Sequence, residues 1–156
     1  MADQVQLHDK KFEKFIDREQ IKQVVKRIGS QINADLAGKN PLFLVVLNVA
    51  FVFASDLFRM FTHDCDISFI KLSSYLGTKS SHTVREVIGL DTNVKDRHVV
   101  LVEDIIDTGI TMEHIIAQMK KMEAKEVKLA TLLHKPAAFE KNFKIDYVGM
   151  EIPNDF

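Results

Sequence analysis

The chain has one cysteine, Cys65, in 156 residues. A single thiol closes no disulfide within the chain, so the fold rests on non-covalent packing, and this cysteine usage fits a reducing, cytoplasmic setting. Cys65 opens the apolar-leaning run to Leu72, which predicts a buried thiol rather than a nucleophile. Neither sign of charge dominates: 21 Lys and Arg stand against 22 Asp and Glu, a net charge of -1. That balance disfavours nucleic acid or a membrane surface as a partner. No apolar run is as long as a membrane span, and the opening stretch MADQVQLHDKKFEKF lacks an apolar signal core. The six histidines include no pair at ligand spacing, which argues against zinc. No repeat, low-complexity tract or linker interrupts the chain, so residues 1–156 read as one domain with room for a substantial core.

What is there is a succession of apolar patterns. Residues 1–16 are mixed and charged, with Phe12 and Phe15 expected to tuck against the body. Asp17-Arg18-Glu19-Gln20 reads as a capping box, and Ile21, Val24, Val25, Ile28 and Ile32 follow at helical spacing. This helix should end near Gly38 and Asn40-Pro41. Leu42 to Leu47 is a continuous apolar run and reads as a central strand. Asn48-Val49-Ala50 makes a turn into a helix from about Phe51 to Phe61, whose Phe51, Phe58 and Phe61 are expected in the core. Cys65 to Leu72 is a second strand. Ser73 to Thr83 is polar and reads as a loop, with a strand resuming at Val84–Gly89, hairpin-paired with its predecessor. Gly77-Thr78-Lys79-Ser80 lacks the spacing of a Walker loop. Glu126–Leu133 and Asp146–Met150 read as later strands, the first stopped by Pro136.

The most informative stretch is His98–Met112, HVVLVEDIIDTGITM. Val99 to Val102 is β-branched and apolar, as in a buried parallel strand, and is expected to end at the acidic pair Glu103-Asp104. Asp107-Thr108-Gly109-Ile110-Thr111 then leads into an amphipathic helix with Ile115, Ile116, Met119 and Met122 on its apolar face. A loop of this kind offers backbone N–H groups, hydroxyls and a helix N-terminus to a phosphate. Two carboxylates beside a phosphate would repel it unless diol hydroxyls donate to them or Mg²⁺ bridges them. The combination points to a sugar phosphate with free hydroxyls, and to a metal, at the carboxyl ends of parallel strands.

VVLVEDIIDTGITM resembles the phosphoribosyl-pyrophosphate (PRPP) motif of the type I phosphoribosyltransferases, above all the hypoxanthine-guanine branch. Weaker resemblance flanks it from about residue 17 to the C-terminus. The resemblance implies an α/β fold, an open, twisted, mainly parallel sheet flanked by helices, with a lid at about 73–89. It implies purine salvage: transfer of 5-phosphoribosyl from PRPP to hypoxanthine or guanine, giving IMP or GMP and pyrophosphate. It assigns the ribose hydroxyls and Mg²⁺ to Glu103 and Asp104, the 5-phosphate to Asp107, Thr108, Gly109, Ile110 and Thr111, and proton acceptance from the purine to Asp107. Ile105 would pack on the base, Lys135 would donate to its 6-oxo group, and Phe156 would stack on it. Ser74 and Tyr75 match the pair that opens the lid, while His82 stands where relatives often have glycine. The family is usually dimeric or tetrameric.

Two departures carry expectations of their own. The family's pyrophosphate loop, which holds a non-proline cis peptide in related enzymes, usually reads Leu, then Lys or Asn, then Gly. Here it is Leu47-Asn48-Val49. Valine is β-branched and restricts the backbone, so the loop is expected to relax to another shape with weaker pyrophosphate contacts. If it is tolerated, Val49 should point into the sheet-helix interface beside Leu47 and Phe51. The family also continues beyond the position of Phe156, so a C-terminal closing segment is expected to be missing. Two other readings compete. One is a PRPP-sensing regulator on the same scaffold. The other is a receiver-like domain, disfavoured because there the acidic pair ends the first strand.

Overall fold

The computed structural model describes residues 4–76 and 82–155, without the side chains of 73–76 and 82–88. In chain order the elements are β1 (Gln4–Leu7), β2 (Lys10–Glu13), α1 (Arg18–Leu36), β3 (Leu42–Val46), α2 (Ala50–Met60) and β4 (Asp66–Leu76). They continue with β5 (His82–Ile88), β6 (His98–Ile106), α3 (Ile110–Lys121), β7 (Glu126–His134) and β8 (Tyr147–Glu151).

β1 and β2 form an antiparallel hairpin of their own. The other strands make one sheet in the order β5-β4-β3-β6-β7-β8, parallel throughout except that β5 runs antiparallel to β4. The mainly parallel α/β sheet therefore has β3 and β6 at its centre, which is why their apolar runs are uninterrupted. Alternate residues of β3 enter opposite cores. Phe43 and Val45 join Val25, Ile28, Phe53 and Leu57 beneath α1 and α2. Leu42, Leu44 and Val46 join Met112, Ile115 and Met119 beneath α3.

The capping box of α1 is present: the Gln20 N–H donates to Asp17 Oδ1 and the Asp17 N–H to Gln20 Oε1, both at 2.8 Å. Between β3 and β6 the chain order reverses. β3 is followed by β4 on one side, and the chain then crosses to place β6 on the other. Such a switch point opens a crevice at the carboxyl ends of its strands.

Several sequence expectations are corrected. Phe12 and Phe15 do not tuck in; they are 50% and 57% exposed, beside or on a hairpin that the charged composition did not announce. Phe51 is 53% exposed, whereas Phe58 and Phe61 pack edge-on against Phe43, with ring centroids 5.3 Å away in each pair. Cys65 is only half-buried, although burial does raise its thiol pKa, with Asp66 and Asp64 adding to the effect. β4 runs on through the polar Ser73-Ser74 because antiparallel pairing with β5 gives its backbone partners. β6 likewise continues past Glu103-Asp104 to Ile106, since β7 still pairs with it at Glu103↔Thr131 and Ile106↔His134.

Candidate active site

The crevice is made by unequal strand lengths. Pairing between β3 and β6 reaches Val45↔Val102. Past that point β6 keeps its β7 neighbour, while the chain after β3 turns into α2. Glu103 and Asp104 therefore sit beside the loop 47–49. Together with Val46, Leu72 and Thr111, these residues line a cavity of about 220 Å³. A second cavity of about 110 Å³ adjoins it, sharing Glu103 and Thr111, and is lined by Ile105, Ile106, Asp107, Thr108, Gly109, Ile110 and Met112. Asn48, Val49, Glu103, Asp104, Ile105, Asp107, Thr108, Gly109, Ile110 and Thr111 are thus all brought to two joined hollows.

The loop after β3 has a cis Leu47-Asn48 peptide. Val49 follows with φ -69° and ψ -36°, ordinary right-handed helical values, and is 70% exposed. The expected change of loop shape and the inward-pointing side chain are both corrected. Its backbone lies where any residue is comfortable, and its side chain points to solvent rather than into the sheet-helix interface. Leu47 is anchored by its N–H to the carbonyl of Ile70 at 2.8 Å.

The acidic pair is electrostatically unequal. Burial, the hydrogen bond with Asp104 and the charge of Asp104 push the Glu103 carboxyl up to about 9, against the backbone N–H of Asp104, which donates to Glu103 Oε1 at 3.0 Å. Glu103 therefore carries a proton at neutral pH in the free protein, which removes one of the two charges that would repel an anion. Among the described residues no three His, Cys, Asp or Glu side chains gather as a metal site. Two carboxylates at a crevice still suit Mg²⁺, which completes its shell with water and substrate oxygens.

The loop 107–111 ends at Gly109, whose φ of +84° is left-handed and favours glycine. Gly109, the N-cap residue of α3, makes no side-chain cap bond; the Ile110 N–H reaches Thr108 Oγ1 at a long 3.5 Å. The first-turn residues of α3, Ile110 to Met112, line the second cavity, and the N–H groups of a helix start are suited to an anion there. Asp107 is exposed at the mouth.

Lys135 directly follows β7, its N–H donating to Ile106 O at 3.0 Å and its Nζ to Asn154 O at 3.3 Å. It lines neither cavity. Ser74 and Tyr75 lie on β4 opposite Val84 and Thr83, but their side chains, like Phe156, lie outside the described residues. Leu72, Ile106 and Met112 also line the hollows and were missed in the sequence, where nothing separates them from core residues. A larger cavity, about 750 Å³, lies on α1 and α2 among Ile21, Val25, Val52 and Met60. It holds no paired carboxylates or phosphate loop, so chemistry, not volume, singles out the crevice.

Residues 13–156 match the family model for the phosphoribosyl transferase domain. The chain is 40% identical over 132 residues to a hypoxanthine-guanine phosphoribosyltransferase of Streptococcus agalactiae, covering 84% of this chain and 73% of that one. It is 37% identical over 142 residues to the bifunctional protein TilS/HprT of Listeria innocua, covering 90% of this chain but 22% of that protein, about a fifth of its length. Among solved structures, a Bacillus anthracis hypoxanthine-guanine phosphoribosyltransferase superposes with a TM-score of 0.85 at 34% identity, over 93% of this chain and 84% of that one. The Trypanosoma cruzi hypoxanthine phosphoribosyltransferase in complex with its product IMP superposes with a TM-score of 0.79 at 34% identity, over 87% and 78%.

Proposed function

We propose, on the premise that this chain belongs to the phosphoribosyl transferase domain family, that it transfers 5-phosphoribosyl from PRPP to hypoxanthine or guanine. The products are IMP or GMP and pyrophosphate, a purine salvage reaction. The carrying observation is that the protonatable Glu103, Asp104 and the glycine-bearing loop 107–111 line two joined cavities at the β3/β6 switch point.

In this reading residues 1–156 act as one domain. The 5-phosphate takes the N–H groups and hydroxyls of Thr108 to Thr111, and Asp107 stands at its edge. Glu103 and Asp104 accept from the ribose hydroxyls and would hold Mg²⁺ when it binds. Bound Mg²⁺ would supply charge neutralisation for the leaving pyrophosphate. Asn48 and Val49 bring backbone groups to the pyrophosphate side of the larger cavity. Asp107 accepts the N7 proton as N9 of the purine attacks C1 of the ribose. Ile105 packs on the base, Lys135 donates to its 6-oxo group, Phe156 stacks, and Ser74 and Tyr75 belong to the closing lid. Catalysis then consists of alignment and exclusion of water.

Among the described residues no helix is long and apolar enough to cross a membrane; a cytoplasmic setting is part of the proposal. So is a homo-oligomer, dimer or tetramer, which the exposed Val49 and the exposed Phe51, Val52 and Met60 of α2 favour. The test is direct: incubation with PRPP, Mg²⁺ and each purine base, with chromatographic detection of nucleotide. Nucleotide from hypoxanthine or guanine supports the proposal. PRPP binding without any product would favour the sensor, and absence of both overturns the reading.

A further inference from the structure

The segment after β7 lies against the phosphate loop from behind. The Glu140 N–H donates to the carbonyl of Thr108 at 3.3 Å, and Lys141 Nζ reaches Glu113 Oε2, in the first turn of α3, at 2.7 Å. Phe139 immediately precedes Glu140 and Lys141. A β-carbon built on Gly109 would lie 2.7 Å from Phe139 Cε2, 2.9 Å from Lys141 Cγ and 3.1 Å from Phe139 Cδ2, so the ring and the Lys141 stem together fill the space beside the loop's only glycine.

The same ring faces the other end of the site. Phe139 meets His134 edge-on, with centroids 5.3 Å apart and planes at 81°. It meets Phe143 in the same way at 5.2 Å and 84°. His134 immediately precedes Lys135, and both His134 ring nitrogens are buried with no hydrogen-bond partner. Apolar packing against Phe139 is therefore what the described contacts offer to hold this ring. The turn is closed by Ala138 N–H to Lys135 O at 3.1 Å and Phe139 N–H to Pro136 O at 3.4 Å. One aromatic side chain thus touches the glycine of the phosphate loop and the neighbour of the base-reading lysine.

We propose that Phe139 is a positioning residue that holds Gly109 and its N–H groups in the phosphate-binding conformation and ties them to the strand end carrying Lys135. The inference rests on the transferase reading. Without the ring, Gly109 loses two of the three atoms nearest its open side and keeps the flexible Lys141 stem, and a glycine at positive φ samples other basins freely. The N–H groups that follow it then lose their alignment, and misplacement on this scale weakens phosphate binding by one to two orders of magnitude. Phe139 itself touches no reacting atom, so the turnover of enzyme saturated with substrate should change far less than affinity.

The experiment measures affinity for ribose 5-phosphate by calorimetry, and kcat and KM for PRPP with hypoxanthine, in wild type and in Phe139→Ala. Phe139→Leu is read as well; it keeps apolar bulk against His134 and Phe143 but no ring against Gly109. Thermal unfolding establishes that each variant is folded, and if Phe139→Ala is not, Phe139→Leu carries the test. The expected result is a rise of about 10-fold or more in the ribose 5-phosphate Kd and in KM for PRPP, with kcat within about 3-fold. A purely structural role would lower the melting temperature and the active fraction but leave Kd and KM of the folded protein unchanged, and that outcome overturns the proposal. The transferase reading fails separately. Wild type that binds ribose 5-phosphate but forms no nucleotide, with weakened binding in the variants, removes the reaction and keeps the role of Phe139. Wild type that binds no ribose 5-phosphate overturns both.

Discussion

Replacing Glu103 with Gln tests the electrostatics of the crevice without depending on its chemistry. Glutamine is nearly isosteric and its Oε1 can still accept from the Asp104 N–H, which donates to Glu103 at 3.0 Å in the wild type. What it removes is titration. Below about pH 4.5 the wild-type carboxyl is protonated both folded and unfolded. Between 4.5 and about 9 the unfolded chain releases the proton while the buried site retains it, so the folded state binds more protons and stability falls as pH rises. The stability this group contributes is whole below 4.5 and gone above about 9. Each pH unit inside that window is worth about 1.4 kcal/mol, so two units cost the wild type roughly 2–3 kcal/mol that Glu103→Gln does not lose. Urea unfolding of both proteins, metal-free, at pH 5.5 and 7.5 reads the difference directly. The gap in favour of Glu103→Gln should widen by that amount, while Mg²⁺-dependent PRPP binding weakens, a trade of function for stability. A gap that stays constant within about 0.5 kcal/mol would refute the claim that burial holds the proton on Glu103.

Asp107→Asn keeps size and hydrogen bonding but loses basicity. Turnover should fall by roughly 10²-fold or more with little change in PRPP affinity, and steady-state kinetics showing unchanged turnover would remove Asp107 from proton transfer. Lys135 can only donate, so hypoxanthine and guanine should be used and adenine rejected; AMP formed from adenine at a comparable rate would contradict its assigned role. Val49→Gly should leave pyrophosphate affinity and turnover within about twofold of wild type, because Val49 already has relaxed φ and ψ and an exposed side chain. A markedly tighter pyrophosphate complex in the glycine variant would show that valine does obstruct the loop.

Some of this was legible in single stretches of chain. The capping box at Asp17 and Gln20 needs only four residues, and the buried strand Leu42–Val46 and the Val99–Val102 part of β6 announce themselves through unbroken apolar runs. The chemistry of Glu103, Asp104 and the loop 107–111 was equally local, since a carboxylate pair and a Thr-Gly-Ile-Thr loop owe their character to residue type and order. By itself the sequence determined these short-range features, because each depends on neighbours within a turn or two of backbone. Contacts between distant segments were decided elsewhere. The lengths of β4 and β6 depended on partners: β5 carried one strand through a polar stretch and β7 carried the other past its acidic pair. Val49 was judged from the glycine expected there, yet the local φ and ψ turned out to suit any residue. The joining of loop 47–49 to Glu103 required β3 and β6 to become neighbours across a reversal of strand order. The high pKa of Glu103 required the burial that this arrangement imposes. The ring of Phe139 on Gly109 brought together residues thirty positions apart. Burial and electrostatic environment belong to what surrounds a side chain in space, and only the folded chain supplies those surroundings.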